Sequence, residues 1–271
     1  SVIPDLSRFT KLKQLDCSNN RLTSLPVLND TLEELYCSSN QLTVLPLLNE
    51  NLKTLHCCSN HLTSLPQFNN HLKSIACSQN RLTSLPVFNE NLEELYCSGN
   101  RLTYLPAFNE KLKILYCYNN RLMYLPPLNT NLQILKCSGN RLTSLPALNE
   151  NLEELLCRNN QFTSLPPLNE NLEILDCSYN HLTSLPQFNN HLKSIACSQN
   201  QLTYLPLLNE KLIQLYCFNN PFDVLACYND AIDIMRCKIK TLHNFRHLYY
   251  CLKFKTQFRK WLWELVREPK I

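Results

Sequence analysis

One pattern returns without insertion or deletion along most of this chain. Leucine stands at residues 12, 32, 52 and onward to 212, cysteine at every twentieth position from Cys17 to Cys217, and asparagine at every twentieth from Asn20 to Asn220. So strict a period outranks local propensity, because each repeat must then be one unit stacked on the next. In the unit from Leu92 to Lys111, residues 95 and 97 alternate inward while 94, 96 and 98 point outward, which is the signature of a short strand. The apolar area of one such coil is too small to offset the entropy of ordering its twenty residues. Stacking is therefore obligatory, and the expected result is a solenoid with parallel strands and one continuous core.

The repeat L-x-x-L-x-C-x-x-N-x-L-x-x-L-P, running over residues 12 to 225, resembles the leucine-rich repeat. Its length and its Leu-Pro pair are similar to the short LPX class of bacterial effectors, to which the YopM and IpaH repeat domains belong. The resemblance implies a curved right-handed solenoid. The fold class expected is α/β: a leucine-rich repeat solenoid with a curved parallel sheet on one face, extended or polyproline II segments on the other, and a C-terminal helical cap. Two features depart from the bacterial pattern: cysteine holds the inner strand position, and Asn29, Asn49 and their equivalents form a second asparagine column. Residues 1–11 read as a degenerate N-terminal repeat or cap, or as the back half of a repeat in a longer chain. Residues 12–228 read as eleven coils, and residues 229–271 as a basic helical cap.

With only two glycines, left-handed turns are not expected to close the coils. That task falls to asparagine and to Pro26, Pro46 and their successors, which favour an extended return. No helix is expected on the back of the coils, and curvature should be gentle. Eleven of the fifteen cysteines form one inward column. Parallel strands hold equivalent Cβ atoms about 4.8 Å apart, too far for a disulfide, so a ladder of free thiols is expected. Free thiols in such number imply a reducing compartment, and hence a cytoplasmic location. No apolar run is long enough to span a membrane.

The inward columns are explained by the core, so function is sought on the outward ones. The central strand column runs Asp16, Tyr36, His56, Ala76, Tyr96, Tyr116, Lys136, Leu156, Asp176, Ala196, Tyr216. Its middle meets Ile114 and Ile134 in the next column, Tyr118 beyond, and the row Arg81, Arg101, Arg121, Arg141 past the asparagine ladder. Tyrosine and arginine around an aliphatic centre are the composition of a protein-binding hot spot. Tyr96, Arg101, Ile114, Tyr116, Tyr118, Arg121, Ile134, Lys136 and Arg141 are the candidate binding residues; a plain solvated β-surface is the competing account. Residues 61–80 and 181–200 are identical at exposed as well as buried positions, which points to growth by copying.

Catalysis is not expected. His56 and Cys58 are two apart on a strand, about 6.5–7 Å, beyond the reach a nucleophile and its base need. His61, His71, His181 and His191 lack nearby cysteine or carboxylate partners for a metal, and two glycines supply no phosphate loop. No cofactor is implied. IpaH ligases carry a large catalytic domain after the repeats, whereas about 45 residues follow here.

In the tail, Ala226 replaces the repeat proline and the period becomes helical. Asn229 or Asp230 should cap a short helix through Ala231, Ile234 and Met235. A second helix is expected from about Thr241 towards Glu268, its stripe of Phe245, Leu248, Leu252, Phe258, Leu262 and Leu265 closing the last coil. From residue 229 on, ten Lys or Arg face four Asp or Glu; that net of +6 leaves the repeats at −2 within an overall +4. Lys253, Lys255, Arg259 and Lys260 are the candidate polyanion contacts, with Trp261 and Trp263 as anchors. The ending, residues 254–271, is similar to C-terminal sequences in giant DNA viruses of amoebae, relatives of mimivirus. The expected function is a non-enzymatic, monomeric protein-interaction module, a viral protein acting in host cytoplasm. The alternative is a nucleic-acid or virion-associated protein acting through its basic helix.

Overall fold

The computed structural model describes residues 3–6, 8–221 and 232–257. Eleven three-residue strands form a single sheet in chain order. They are β1 (Gln14–Asp16), β2 (Glu34–Tyr36), β3 (Thr54–His56), β4 (Ser74–Ala76), β5 (Glu94–Tyr96), β6 (Ile114–Tyr116), β7 (Ile134–Lys136), β8 (Glu154–Leu156), β9 (Ile174–Asp176), β10 (Ser194–Ala196) and β11 (Gln214–Tyr216). Every pairing is parallel and in register with the repeat: Leu95 faces Leu115, and Leu115 faces Leu135. Coils are counted here from Leu12, so that coil 5 is residues 92–111 and coil 6 is residues 112–131. The strands are short because the ladder continues past them on irregular backbone, as in Cys97 N–H to Tyr116 O at 2.8 Å and Arg101 N–H to Leu82 O at 2.9 Å. Among the described residues the returning segments contain no helix.

The core is the set of inward columns. Leu92, Leu95, Cys97 and Leu102 have no solvent exposure, and the same holds for their counterparts in coil 6, Leu112, Leu115, Cys117 and Leu122. Two asparagine ladders fasten the coils to one another. Asn100 donates from Nδ2 to Cys97 O and Cys77 O, both at 3.0 Å, and accepts at Oδ1 from Leu82 N–H at 3.0 Å. One amide thus pairs backbone groups in two coils that burial would otherwise leave unsatisfied. The second column ties the returning segments, as Asn89 Nδ2 to Leu72 O at 2.9 Å.

The turns correct the sequence expectation. The residue before the ladder asparagine is left-handed in every coil, with φ between 53° and 66°, yet only Gly99 and Gly139 are glycine there. Asn19, Ser39, Gln79 and Tyr179 are among the nine others. A non-glycine residue in this region costs roughly 1–2 kcal/mol, and the fold tolerates it because the ladder bonds on either side fix the backbone. Glycine scarcity therefore did not exclude the turn; it left nine of the eleven turns to residues that carry a Cβ. At two positions glycine also makes room for a neighbour. A Cβ on Gly99 would lie 2.5 Å from Gln79 Nε2, and one on Gly139 would lie 2.3 Å from Asn119 Oδ1.

The tail also differs from expectation. Among the described residues one helix, α1 (Ile232–Lys253), runs unbroken through Met235 and Thr241, where one helix was expected to end and a second to begin. Its docked face carries Met235 and Ile239, 6% and 2% exposed, whereas Phe245 is 66% exposed. The residues of the expected stripe beyond residue 257, and the cap residues Asn229 and Asp230, lie outside the described residues. Arg236 makes the decisive contact. Its guanidinium donates to Asn209 O at 3.2 Å and Leu212 O at 3.2 Å, and more weakly to Glu210 O at 3.4 Å. Asn209 O and Leu212 O occupy the register that the next coil's asparagine would satisfy, as Asn209 Nδ2 does for Asn189 O and Leu192 O. An arginine from a helix thus donates to the same two carbonyls that a ladder amide takes elsewhere in the array. At the other end, Phe9 O accepts from Asn29 Nδ2 at 2.7 Å, so residues 3–12 supply the acceptor of a preceding coil.

Candidate interaction surfaces

The outward face of β5 to β8 brings part of the predicted set together. Ile114 lies beside Ile134, and Tyr116 beside Lys136, in direct register. The rings of Tyr96 and Tyr116 meet edge to face with centroids 4.9 Å apart. Lys136 Nζ sits 4.7 Å from the Tyr116 centroid and 3.0 Å from a carboxylate oxygen of Glu154. Burial disfavours its charge, but bonds to Glu154 and Tyr116 outweigh that, and the Lys136 pKa is raised. Burial, with Glu94 beside it, pushes the Tyr96 hydroxyl up to about 12, so the phenol stays protonated. The result is a half-buried, preorganised strip of tyrosine, isoleucine and a paired cation across four strands. Preorganised aromatic surface costs little entropy to bind.

Tyr118 is 36% exposed at the strip's margin. Arg101, Arg121 and Arg141 are not part of the strip. They are exposed beyond the left-handed turn, and no hydrogen bond or ion pair among the described residues joins their side chains to it. Lys253 lies 5.7 Å from the ring centroids of Tyr249 and Phe254, Lys255 is exposed, and Arg259 and Lys260 lie outside the described residues. Sequence reading missed Glu154 as the partner of Lys136. It also missed Tyr104, Met123 and Tyr124, which are 43%, 62% and 58% exposed. Their signal was available: most coils carry Thr-Ser at those two columns, and besides Val44, Tyr204 and coil 11 the breaks fall in the adjacent coils 5 and 6.

Cys37 to Cys197 of the main column are buried, free thiols. Burial lifts the pKa of each; that of Cys97 stands well above the ordinary thiol value. Cys58 is half-buried with a pKa raised by burial, the opposite of an activated nucleophile. His56 packs edge-on against Tyr36 with centroids 4.9 Å apart. Among the described residues no group of three or more His, Cys, Asp or Glu is placed to hold a metal, and no helix is long and apolar enough to cross a membrane.

Residues 150–190 match the family described as Leucine Rich repeats (2 copies), and residues 11–29 match Leucine Rich Repeat. The chain folds as a leucine-rich repeat solenoid. Such solenoids are protein-interaction scaffolds, generally without enzymatic activity. Among solved structures, YopM from Yersinia enterocolitica is similar at 31% identity and a TM-score of 0.69, over 76% of this chain and 50% of that one. The present chain thus spans about half the length of that relative. A leucine-rich repeat protein of Leptospira interrogans is similar at 27% identity and a TM-score of 0.65, over 81% of this chain and 70% of that one. InlJ from Listeria monocytogenes, whose functional domain includes a cysteine ladder, is similar at 27% identity and a TM-score of 0.62, over 81% of this chain and 56% of that one. A search of curated proteins by sequence gives no match.

Proposed function

We propose that this leucine-rich repeat chain binds a protein partner on the strand face of β5 to β8, through Tyr96, Ile114, Tyr116, Ile134 and Lys136, with Tyr118 at the margin. The observation that carries the reading is the locked row Tyr96–Tyr116–Lys136–Glu154 beside the paired isoleucines. Aromatic anchors around an aliphatic centre are what interface hot spots are built from. In this reading the chain is a monomer and the partner is a host or viral protein. The likeness of residues 254–271 to giant-virus endings favours a virus acting in host cytoplasm, and the column of free thiols suits such a reducing setting.

Two baits test it: the full chain, and the chain carrying Tyr116→Ala with Ile134→Ser, both checked for the same melting temperature. Proteins captured from infected amoebae by the first and lost by the second are the expected result; identical capture would remove the strand face from the function. The alternative is polyanion binding by the basic helix through Lys253, Lys255, Arg259 and Lys260. Steep loss of capture with rising salt would favour that alternative.

A further inference from the structure

A second surface lies past the left-handed turns and does not depend on the strand-face reading. Arg81, Arg101, Arg121 and Arg141 stand in four consecutive coils, all exposed. Among the described residues their side chains have neither an ion pair nor a hydrogen bond. The lysines on the other side of the strands behave differently. Lys13 and Lys53 share Glu33, Lys73 and Lys113 share Glu93, and Lys193 meets Glu173. The solenoid therefore neutralises one cationic column and leaves the arginine column without counter-charge. Residues 101–149 hold six Lys or Arg against one Glu, in a repeat region whose net charge is −2.

Beside the arginines of coils 5 and 6 lies exposed apolar surface: Tyr104, Met123 and Tyr124. Each tyrosine follows an arginine by three residues. The protein itself shows what a tyrosine at this register can seat. Tyr204, the equivalent in coil 10, is covered by α1: Arg246 lies 4.3 Å over its ring, and His243 meets it edge-on with centroids 6.5 Å apart while bonding Leu205 O at 2.8 Å. In coils 5 and 6 the same register is uncovered and bordered by unpaired cations. A helix seated there must carry carboxylates, not the arginine and histidine of α1.

We propose that the Arg81–Arg141 edge, with Tyr104, Met123 and Tyr124, docks an acidic amphipathic helix of a partner protein. The spacings agree. Arginines one coil apart are separated by about 4.8 Å, and carboxylates placed every third or fourth residue of a helix by about 4.5–6 Å along its axis. A helix lying across the coils then offers a carboxylate to each arginine and apolar side chains to the tyrosines and the methionine. A stacked nucleic-acid strand, with a phosphate about every 3.4 Å, fits this pitch less well, and the net-negative repeats repel a long polyanion.

Fluorescence anisotropy tests the proposal with the full chain and a labelled helical peptide bearing glutamate at every third or fourth position and leucine between. Saturable binding is expected. It should weaken about tenfold or more with Arg101→Gln plus Arg121→Gln, and separately with Tyr124→Ser, but not with Arg21→Gln, which stands in the same column beside Ser24. All four positions are exposed, and unchanged melting temperatures will show that each variant is folded. The proposal is overturned by no binding, by binding indifferent to Arg101 and Arg121, or by a thymidine oligonucleotide binding more tightly than the peptide. Because no variant touches the strand face, this result and the bait experiment fail independently.

Discussion

Residues 61–80 and 181–200 are the same twenty residues in two places, one inside the array and one near its end. What they share lies inward. Leu62 and Leu182, Ile75 and Ile195, and Cys77 and Cys197 are all fully buried, and Gln79 and Gln199 turn with φ of 57° and 56°. Asn80 and Asn200 make the same three bonds. What differs lies outward and is set by the neighbours. Ser74 Oγ donates to Glu94 at 3.1 Å, while Ser194 Oγ meets Gln214 at 3.0 Å. Lys73 pairs forward with Glu93, and Lys193 pairs backward with Glu173. Ala76 is buried between His56 and Tyr96, whereas Ala196, between Asp176 and Tyr216, is somewhat more open. Identical sequence thus specifies the same core but a different surface, because each outward side chain is completed by the coils on either side.

The sharpest test of this equivalence is the ladder. Asn80→Ala and Asn200→Ala each strand the N–H of a buried leucine and two cysteine carbonyls, and each should cost about 2–3 kcal/mol by denaturant unfolding. A clearly smaller cost at Asn200 would show that the last coils unfold on their own. Next in size is the end fitting. Arg236→Ala leaves Asn209 O and Leu212 O without their guanidinium donor and should cost about 1–2 kcal/mol. By hydrogen exchange, amides of residues 181–200 should lose protection while those of residues 61–80 keep theirs; equal behaviour would deny Arg236 its capping role.

Thiol labelling gives a finer reading. Cys77 and Cys197 are buried with pKa values held well above the ordinary thiol value by desolvation. Both should stay unlabelled at neutral pH while exposed Cys237 reacts, and faster labelling of Cys197 than of Cys77 would report opening confined to the second copy. The smallest effect is local to the first copy. Burial lowers the His56 pKa against weaker raising effects of Glu94 and Glu34. With its folded pKa below the unfolded value, the stability it contributes is present above the unfolded pKa and is lost as pH falls through that value towards the folded one. Acidification from about pH 7.5 to about pH 5.5 should therefore reduce protection around Ala76 slightly, and His56→Gln should abolish that slope. Ala196, which has Asp176 in the place of His56, should not show it.

The strands, the leucine and cysteine columns and the asparagine ladder were legible because each is a strict column whose burial follows from alternation along the strand. The left-handed turn was misread because glycine is a sufficient sign of it and not a necessary one, as Ser59 and Tyr179 demonstrate. On α1 the helical period admitted more than one apolar stripe, and docking on coil 11 selected Met235 and Ile239 over Phe245. The strip from Tyr96 to Lys136 was visible as composition. Its ion pair with Glu154 was not, because the two residues are eighteen apart and meet only through strand register. Tyr104, Met123 and Tyr124 stand in the returning segment, outside the strand columns whose alternation sets inward from outward.

The ladder amide reaches one coil back and no further: Asn100 touches Cys97 of its own coil and Cys77 and Leu82 of the coil before. Every coil therefore presents the same acceptors on one side and the same donors on the other. Unequal recombination that inserts or deletes a whole number of coils leaves no ladder bond mismatched at the junction, as the equal bonds of Asn80 and Asn200 illustrate. The terminal fitting is equally indifferent to history, since Arg236 grips main-chain oxygens and not side chains. Length in this molecule is a freely inherited variable, and selection can set how many coils separate any two surface patches without redesigning the fold.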